Sequence, residues 1–278
     1  MTSQIEIPKL NSLRLFTQAD PVPCEIDGYK YVRKFLHTDK PALQILASLD
    51  GAVHWYSSVI LDEYGGYVRN VPYTREYRKD SELVIFNFQA DLKNLQGMYR
   101  ICIKLFEYSG KGVKAITSEW FCVHRRNDFK NILIKAANGK NGLGVIFDTG
   151  IYFTFRVEGG FYPNSLSVDS DDTAYKDQDV DFVQLHSIPY DVYKLNIGGR
   201  RGIPNGLISQ INRAFSCDTV LIDDVQFSKT EGAKFEAVES ENYPYRSWAI
   251  EVTESQNTNA DISEFGRIFD YTFDKTFN

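Results

Sequence analysis

The stretch Cys217-Asp218-Thr219-Val220-Leu221-Ile222-Asp223-Asp224-Val225-Gln226-Phe227 sets two adjacent carboxylates between apolar runs. Paired carboxylates do acid–base work when both reach one substrate atom. Here Val220–Ile222 and Val225–Phe227 are β-prone runs two residues apart, and a two-residue hairpin loop needs tip residues that tolerate positive φ, as Asp does. The spacing predicts a hairpin with Asp223 and Asp224 at its tip, their side chains diverging into water, and no catalytic pair.

The remaining chemistry-bearing residues give equally little. His37, His54, His124 and His186 are isolated, with none at the i, i+4 or HxH spacing of metal ligands. Ser57 and Ser58 follow His54 without a GxSxG elbow to expose a nucleophile. The acidic run DSDDTAYKDQDVD at 169–181, aligned as a calcium loop from Asp169, offers Ala174 where glycine is needed and Val180 where a bidentate glutamate belongs. A solvated acidic loop is expected. GKNGLG at 139–144 lies between strands with no helix after it, so no row of free N–H groups awaits a phosphate. GGRRG at 198–202 is better placed, just before a helix start, where Arg200 and Arg201 can grip a carboxylate, a phosphate or an acidic patch on a partner subunit. Glycine at such a corner also has purely backbone reasons. A glycoside hydrolase would need two carboxylates flanking one cleft, and no stretch recommends such a pair. The expectation is a protein without catalytic residues, metal or cofactor, and not an enzyme.

Cys24, Cys102, Cys122 and Cys217 lie far apart with no CxxC pair, which fits neither a zinc site nor a disulfide framework. They read as free and mostly buried, with a Cys102–Cys122 bridge left open if their strands are neighbours. The net charge is −6, and 31 basic residues are scattered among 37 acidic ones. Without a basic stripe to follow phosphates, nucleic acid is not an expected partner. The start MTSQIEIPKLNSLRLF lacks a charged region followed by a long apolar core, and no 18 consecutive residues are apolar. Neither secretion nor a membrane is expected, but a soluble chain made in the cytoplasm.

The elements that would position these residues are mostly strands. Aromatics make up 14% of the chain, with 17 Tyr and 19 Phe against 2 Met, and aromatics favour strands and interfaces. Apolar residues recur with period two. In IYFTFRVE, Ile151, Phe153, Phe155 and Val157 take the inner face, and Tyr152, Thr154, Arg156 and Glu158 the outer one. YRICIKL at 99–105 alternates in the same way, with Cys102 and Lys104 outward. LQILASL, LVIFNF, SEWFCV, VYKLNI and RSWAIEV fit the same pattern, with Gly, Asp and Asn turns between them. One helix is predicted over 204–215, from Pro204 in its first turn and the stripe Leu207, Ile208, Ile211, Phe215.

The polar run His124-Arg125-Arg126-Asn127-Asp128 marks a boundary. The prediction is a mainly β protein of two β-sandwich-like domains: residues 1–125, immunoglobulin-like, and residues 129–253, carrying the helix. A C-terminal arm follows over 254–278, with Phe265, Ile268, Phe269, Tyr271, Phe273 and Phe277 as anchors for its own domain or a neighbour's. Tyr64, Tyr67, Tyr73, Tyr77, Tyr162, Tyr243 and Tyr245 lie near turns, where they could stack on sugar rings or enter a protein interface.

Two stretches carry a resemblance: GMYRICIKLFEYSGKGVKAITSEWFCV at 97–123 and VYKLNIGGRRGIPNGLISQINRAFSCDTVLIDDVQFSKTEGAKFE at 192–236. In texture they resemble virion structural proteins of tailed bacteriophages of Bacteroidetes, including crAss-like phages, over about half the chain. The resemblance implies a tail, collar or head–tail connector component, made in the host cytoplasm and located in the virion. Its partners would be copies of itself in a symmetric ring and other tail or neck proteins. In such a ring each subunit presents two different complementary surfaces, and the arm's Phe and Tyr anchors, with Arg200 and Arg201, are the interface candidates. The alternative is a carbohydrate-binding module or adhesin that meets a bacterial glycan through its turn tyrosines.

Overall fold

The computed structural model describes residues 5–17, 31–48, 53–78, 83–107, 113–127, 129–163, 165–176, 182–238 and 245–255. The arm anchors Phe265, Ile268, Phe269, Tyr271, Phe273 and Phe277 lie outside the described residues, as do Cys24 and Tyr243. The architecture is mainly β with one α-helix among the described residues.

The first part of the chain is a two-layer sandwich. Its strands are Ile5–Glu6 (β1), Leu15–Thr17 (β2), Arg33–Leu36 (β3), Ala42–Ser48 (β4), Val53–Asp62 (β5), Tyr67–Asn70 (β6), Tyr73–Arg78 (β7), Leu83–Gln89 (β8), Gly97–Glu107 (β9), Val113–Ser118 (β10) and Phe121–His124 (β11). One sheet has the order β1-β4-β8-β7, and the other runs β2-β10-β9-β11-β3, with β5 also on β9 and β6 on β5. The period-two pattern explains the layers. Leu43, Ile45, Phe86 and Phe88 face Ile60, Ile101, Ile103, Phe121 and Val123 across a single core. Cys102 and Cys122 are free thiols on neighbouring strands. No bridge joins them, because Cys122 stands opposite Met98 and Cys102 opposite Thr117.

Beyond the polar run the pairing changes partners. Asn131–Ala137 (β12), Phe153–Phe161 (β13), Ser167–Lys176 (β14), Phe182–Ile197 (β15), Thr219–Ile222 (β16), Val225–Lys229 (β17), Glu236–Val238 (β18) and Ser247–Glu254 (β19) form one sheet, with helix Asn205–Ala214 (α1) between β15 and β16. The ladder runs β12-β13-β15-β19-β17-β16 and returns to β12, antiparallel throughout. The second unit thus encloses its core by curling one sheet into a six-stranded barrel, filled by Phe153, Phe155, Leu195, Ile197, Ile222 and Val252. The stripe of α1 lies against that core through Leu207, Ile208, Ile211 and Ala214.

The Asp223-Asp224 pair is the tip of the β16–β17 hairpin, at φ 49° and 70°, as a type I′ turn requires. Both side chains are exposed and point to different places, as expected, and each also has a partner on β12. Asp223 exchanges two 2.9 Å hydrogen bonds with the Leu133 backbone, and Asp224 pairs with Lys135. Both carboxylates tie the hairpin to β12 at separate points.

The outward face of β13 is also different from its expected state. Thr154 and Arg156 are each only 6% exposed, because the sandwich covers them. Arg156 donates to Asp39 at 2.6 and 2.7 Å and also to Asn131. The Ser12 hydroxyl accepts from Ala42 N and from Thr154 N. Gln44 accepts from Ile146 N at 2.8 Å and donates to Ile146 O at 2.9 Å, imitating a strand pair. Arg33 donates through Nη2 to Ser12 O at 2.9 Å, and its other terminal nitrogen, Nη1, reaches Glu119 and Gln210 of α1. Leu10 and Ala42 of the sandwich belong to the barrel's core cluster. The two units therefore meet in a buried, hydrogen-bonded seam.

One part of the sheet leaves the body. Residues Val192–Ile197 of β15 pair with β19, whereas its residues 182–191 pair, among the described residues, with β14 alone. At about 3.3 Å per residue this two-stranded ribbon extends about 33 Å beyond the barrel wall. Leu166 and Val168 at its base are 53% and 74% exposed.

Candidate functional site

The site grows out of close backbone approaches. At Gly159, a Cβ would stand 2.2 Å from Asn196 O, so only glycine lets β13 lie this close to β15. At Gly202, φ is 73° and a Cβ would stand 2.6 Å from Arg246 N. The corner 198–202 is pinned there by Gly202 N donating to Gly198 O at 2.8 Å and by the Ser247 hydroxyl donating to Gly199 O. A rigid loop results, and Arg200 and Arg201 stand exposed on it.

These arginines border a groove of ≈ 600 Å³ with Lys34 from β3, Lys130 from the connection between the units, and the half-buried Phe129 and Phe161. Lys34 pairs with Glu158 and its ammonium lies 5.0 Å over the Phe129 ring. Tyr162, at the same groove, accepts a 2.9 Å hydrogen bond from the Asn196 amide. Lys130, Arg200 and Arg201 have no carboxylate partner among the described residues. The surface is an aromatic floor with an unneutralised cationic rim in a chain whose net charge is −6. Chemically it can hold a carboxylate or phosphate and pack an apolar group beside it. Behind it Tyr31 meets Tyr245 edge to face at 5.9 Å, and burial pushes the Tyr31 phenol up to about 12 against the opposing pull of Arg33.

Of the interface candidates, Arg200 and Arg201 fall in this groove, while the six arm anchors lie outside the described residues. Sequence reasoning missed Lys34, Phe129, Lys130 and Phe161. Only the pairing of distant strands brings them together, and no local pattern marked them. The turn tyrosines do not converge. Tyr64 and Tyr67 are exposed around the β5–β6 turn, Tyr162 is in the basic groove, and Tyr73 walls a separate cleft of ≈ 280 Å³ with Tyr152. Among the described residues no three His, Cys, Asp or Glu side chains group as metal ligands. Asp169 and Asp172 belong to β14, where hydrogen bonds from Ser170 engage them. Among the described residues no helix is long and apolar enough to cross a membrane. No family model, curated protein or solved structure matches this chain.

Proposed function

We propose that this protein is a non-enzymatic structural subunit that assembles head-to-tail into a ring, in the tail or head–tail connector of a bacteriophage. The phage setting rests on the texture of residues 97–123 and 192–236. The observation that carries assembly is the β14–β15 ribbon. A two-stranded ribbon is marginal in water on its own, and this one projects past the barrel with an edge along β14 that no other strand pairs among the described residues. Such an edge is a template for pairing with another chain. The test replaces residues 170–189 by an Asn-Gly turn and measures mass in solution and incorporation into particles. Retained far-ultraviolet circular dichroism with lost assembly is expected; unchanged assembly counts against the proposal.

The cleft between Tyr73 and Tyr152 favours a second reading, glycan binding. Its lining adds the neutral hydrogen-bonding side chains of Thr74, Asn87, Gln89 and Thr149 to two exposed rings, a composition suited to stacking and hydrogen bonding a sugar. Binding on a glycan array that Tyr73→Ala and Tyr152→Ala abolish would favour this reading, and an empty array would remove it.

A further inference from the structure

We infer that the groove bounded by Lys130, Arg200 and Arg201 is a binding site for a phosphate monoester carried on a flat apolar ring. The inference goes beyond the ring reading, because every residue it uses belongs to a single copy of the chain.

Charge is the first support. Among the described residues the groove is lined by four cationic side chains, Lys34, Lys130, Arg200 and Arg201, and by one carboxylate, Glu158, a net +3 in a chain of net −6. Glu158 is engaged by Lys34. The side chains of Lys130, Arg200 and Arg201 have no ion-pair or hydrogen-bond partner among the described residues. A cleft lined by one sign of charge concentrates ions of the other, and a phosphate monoester carries roughly −2 at pH 7.

The glycine corner supplies donors of a second kind. Gly198 N donates to Glu158 O at 2.7 Å and Gly202 N to Gly198 O at 2.8 Å, which closes the turn. Between them the backbone N–H groups of Gly199, Arg200 and Arg201 have no acceptor among the described residues, while the Gly199 carbonyl is taken by the Ser247 hydroxyl. Gly199 is left-handed, at φ 54°, and successive amides in a turn of this kind form a concavity for an anion.

The donor set selects the anion. A carboxylate offers two oxygens in one plane, which a single guanidinium fork satisfies, whereas a phosphate monoester offers three that do not share a plane with their donors. Here two guanidinium groups and a run of amides come from one segment and an ammonium from another. Bare backbone makes room for that ammonium: a Cβ at Gly160 would stand 3.1 Å from Lys130 Cε and 3.8 Å from Nζ. Beside the cations, Phe161 packs on Phe227 and Tyr193 with ring centroids at 5.2 and 5.7 Å, and with half-buried Tyr162 it lines the groove for an apolar ring. The volume of ≈ 600 Å³ suits a small organic ligand.

The test is isothermal titration calorimetry of the full-length chain in phosphate-free buffer with phenyl phosphate, inorganic phosphate and benzoate. Wild type is compared with Arg200→Ala/Arg201→Ala and with Lys130→Gln; all three side chains are exposed, and unchanged thermal midpoints check that the fold survives. Phenyl phosphate is expected to bind the wild type saturably and the double variant more than about tenfold more weakly, with a smaller loss for Lys130→Gln. Inorganic phosphate and benzoate are each expected to bind the wild type at least about tenfold more weakly than phenyl phosphate. No binding of phenyl phosphate up to about 10 mM overturns the site, and binding that neither variant weakens places it elsewhere and overturns the assignment. Benzoate as tight as phenyl phosphate overturns the choice of phosphate, and inorganic phosphate as tight overturns the role of the ring. Co-sedimentation with phosphatidic acid vesicles, without binding of phenyl phosphate, gives the rim to a membrane surface and overturns the proposal. Binding is read per chain whatever the mass of the assembly, so failure of the ring reading leaves this outcome unaffected.

Discussion

Arg33 and Arg156 at the seam, and Arg200 and Arg201 at the groove rim, carry the same guanidinium into opposite surroundings. At the seam Arg156 is buried and every nitrogen has an acceptor, in Asp39 and Asn131. Arg33 is 1% exposed, donates to Ser12, Glu119 and Gln210, and stacks near Phe35 and Phe155, although its Nε has no hydrogen-bond partner. Removing water from such groups is costly, so their partners must stay in place once the units have met. At the rim the arginines remain hydrated and without a carboxylate among the described residues. A charge committed inside the molecule fixes its shape, whereas one left at the surface is available to something outside it.

The comparison can be broken most sharply at Asp39. Asp39→Ala leaves Arg156 buried and uncompensated, and about 3–5 kcal/mol of stability should be lost in a urea titration. A loss under 1 kcal/mol would mean the seam ion pair is not holding the units. Gln44→Ala should cost less, about 1–3 kcal/mol, because it leaves the part-buried N–H of Ile146 without its acceptor, while the Ile146 carbonyl keeps the Thr149 hydroxyl. Here the expected change is a lower denaturation midpoint in a single transition, and a separate early transition would show that the sandwich and the barrel unfold independently.

Alkaline pH tests the buried groups without any mutation. Burial, aided by Asp218, pushes the Cys217 thiol from 9.0 up to about 11, and burial pushes Tyr31 from 10.0 up to about 12. Both raised values mean that the folded chain holds these protons more tightly than the unfolded one. Their contribution is complete below pH 9 and is lost as pH rises through 9–11 for Cys217 and 10–12 for Tyr31. Thermal midpoints should be insensitive to these two groups below pH 9 and fall above it, and Cys217→Ala should remove the earlier part of the decline. The smallest effect belongs to the rim: Arg200→Ala and Arg201→Ala should each change stability by less than about 0.5 kcal/mol. A larger loss would place those side chains in the fold's own support.

How far the sequence spoke for itself follows the same division. Local signals were legible: the period-two runs became strands, the Pro204 start and apolar stripe became α1 at Asn205–Ala214, and the two-residue spacing at Asp223 became a hairpin. Residue Thr154 and Arg156 misled because alternation reports a half-buried strand, and β13 is covered on both faces. Barrel closure was invisible, since it rests on β15 pairing with β19, elements far apart in the chain. The two rim arginines could be found from the glycines around them, but Lys34 and Phe129 enter the groove from other segments and leave no mark in their own neighbourhoods.

The unbroken course of β15 has a mechanical consequence. Its last six residues, Val192–Ile197, are laddered to β19, while its earlier residues form the ribbon. A load pulling lengthwise on the ribbon would be borne by that ladder in shear, with its hydrogen bonds strained together instead of being peeled apart in turn. Tension would pass directly into the barrel staves, and the projecting hairpin would act as a tie rod.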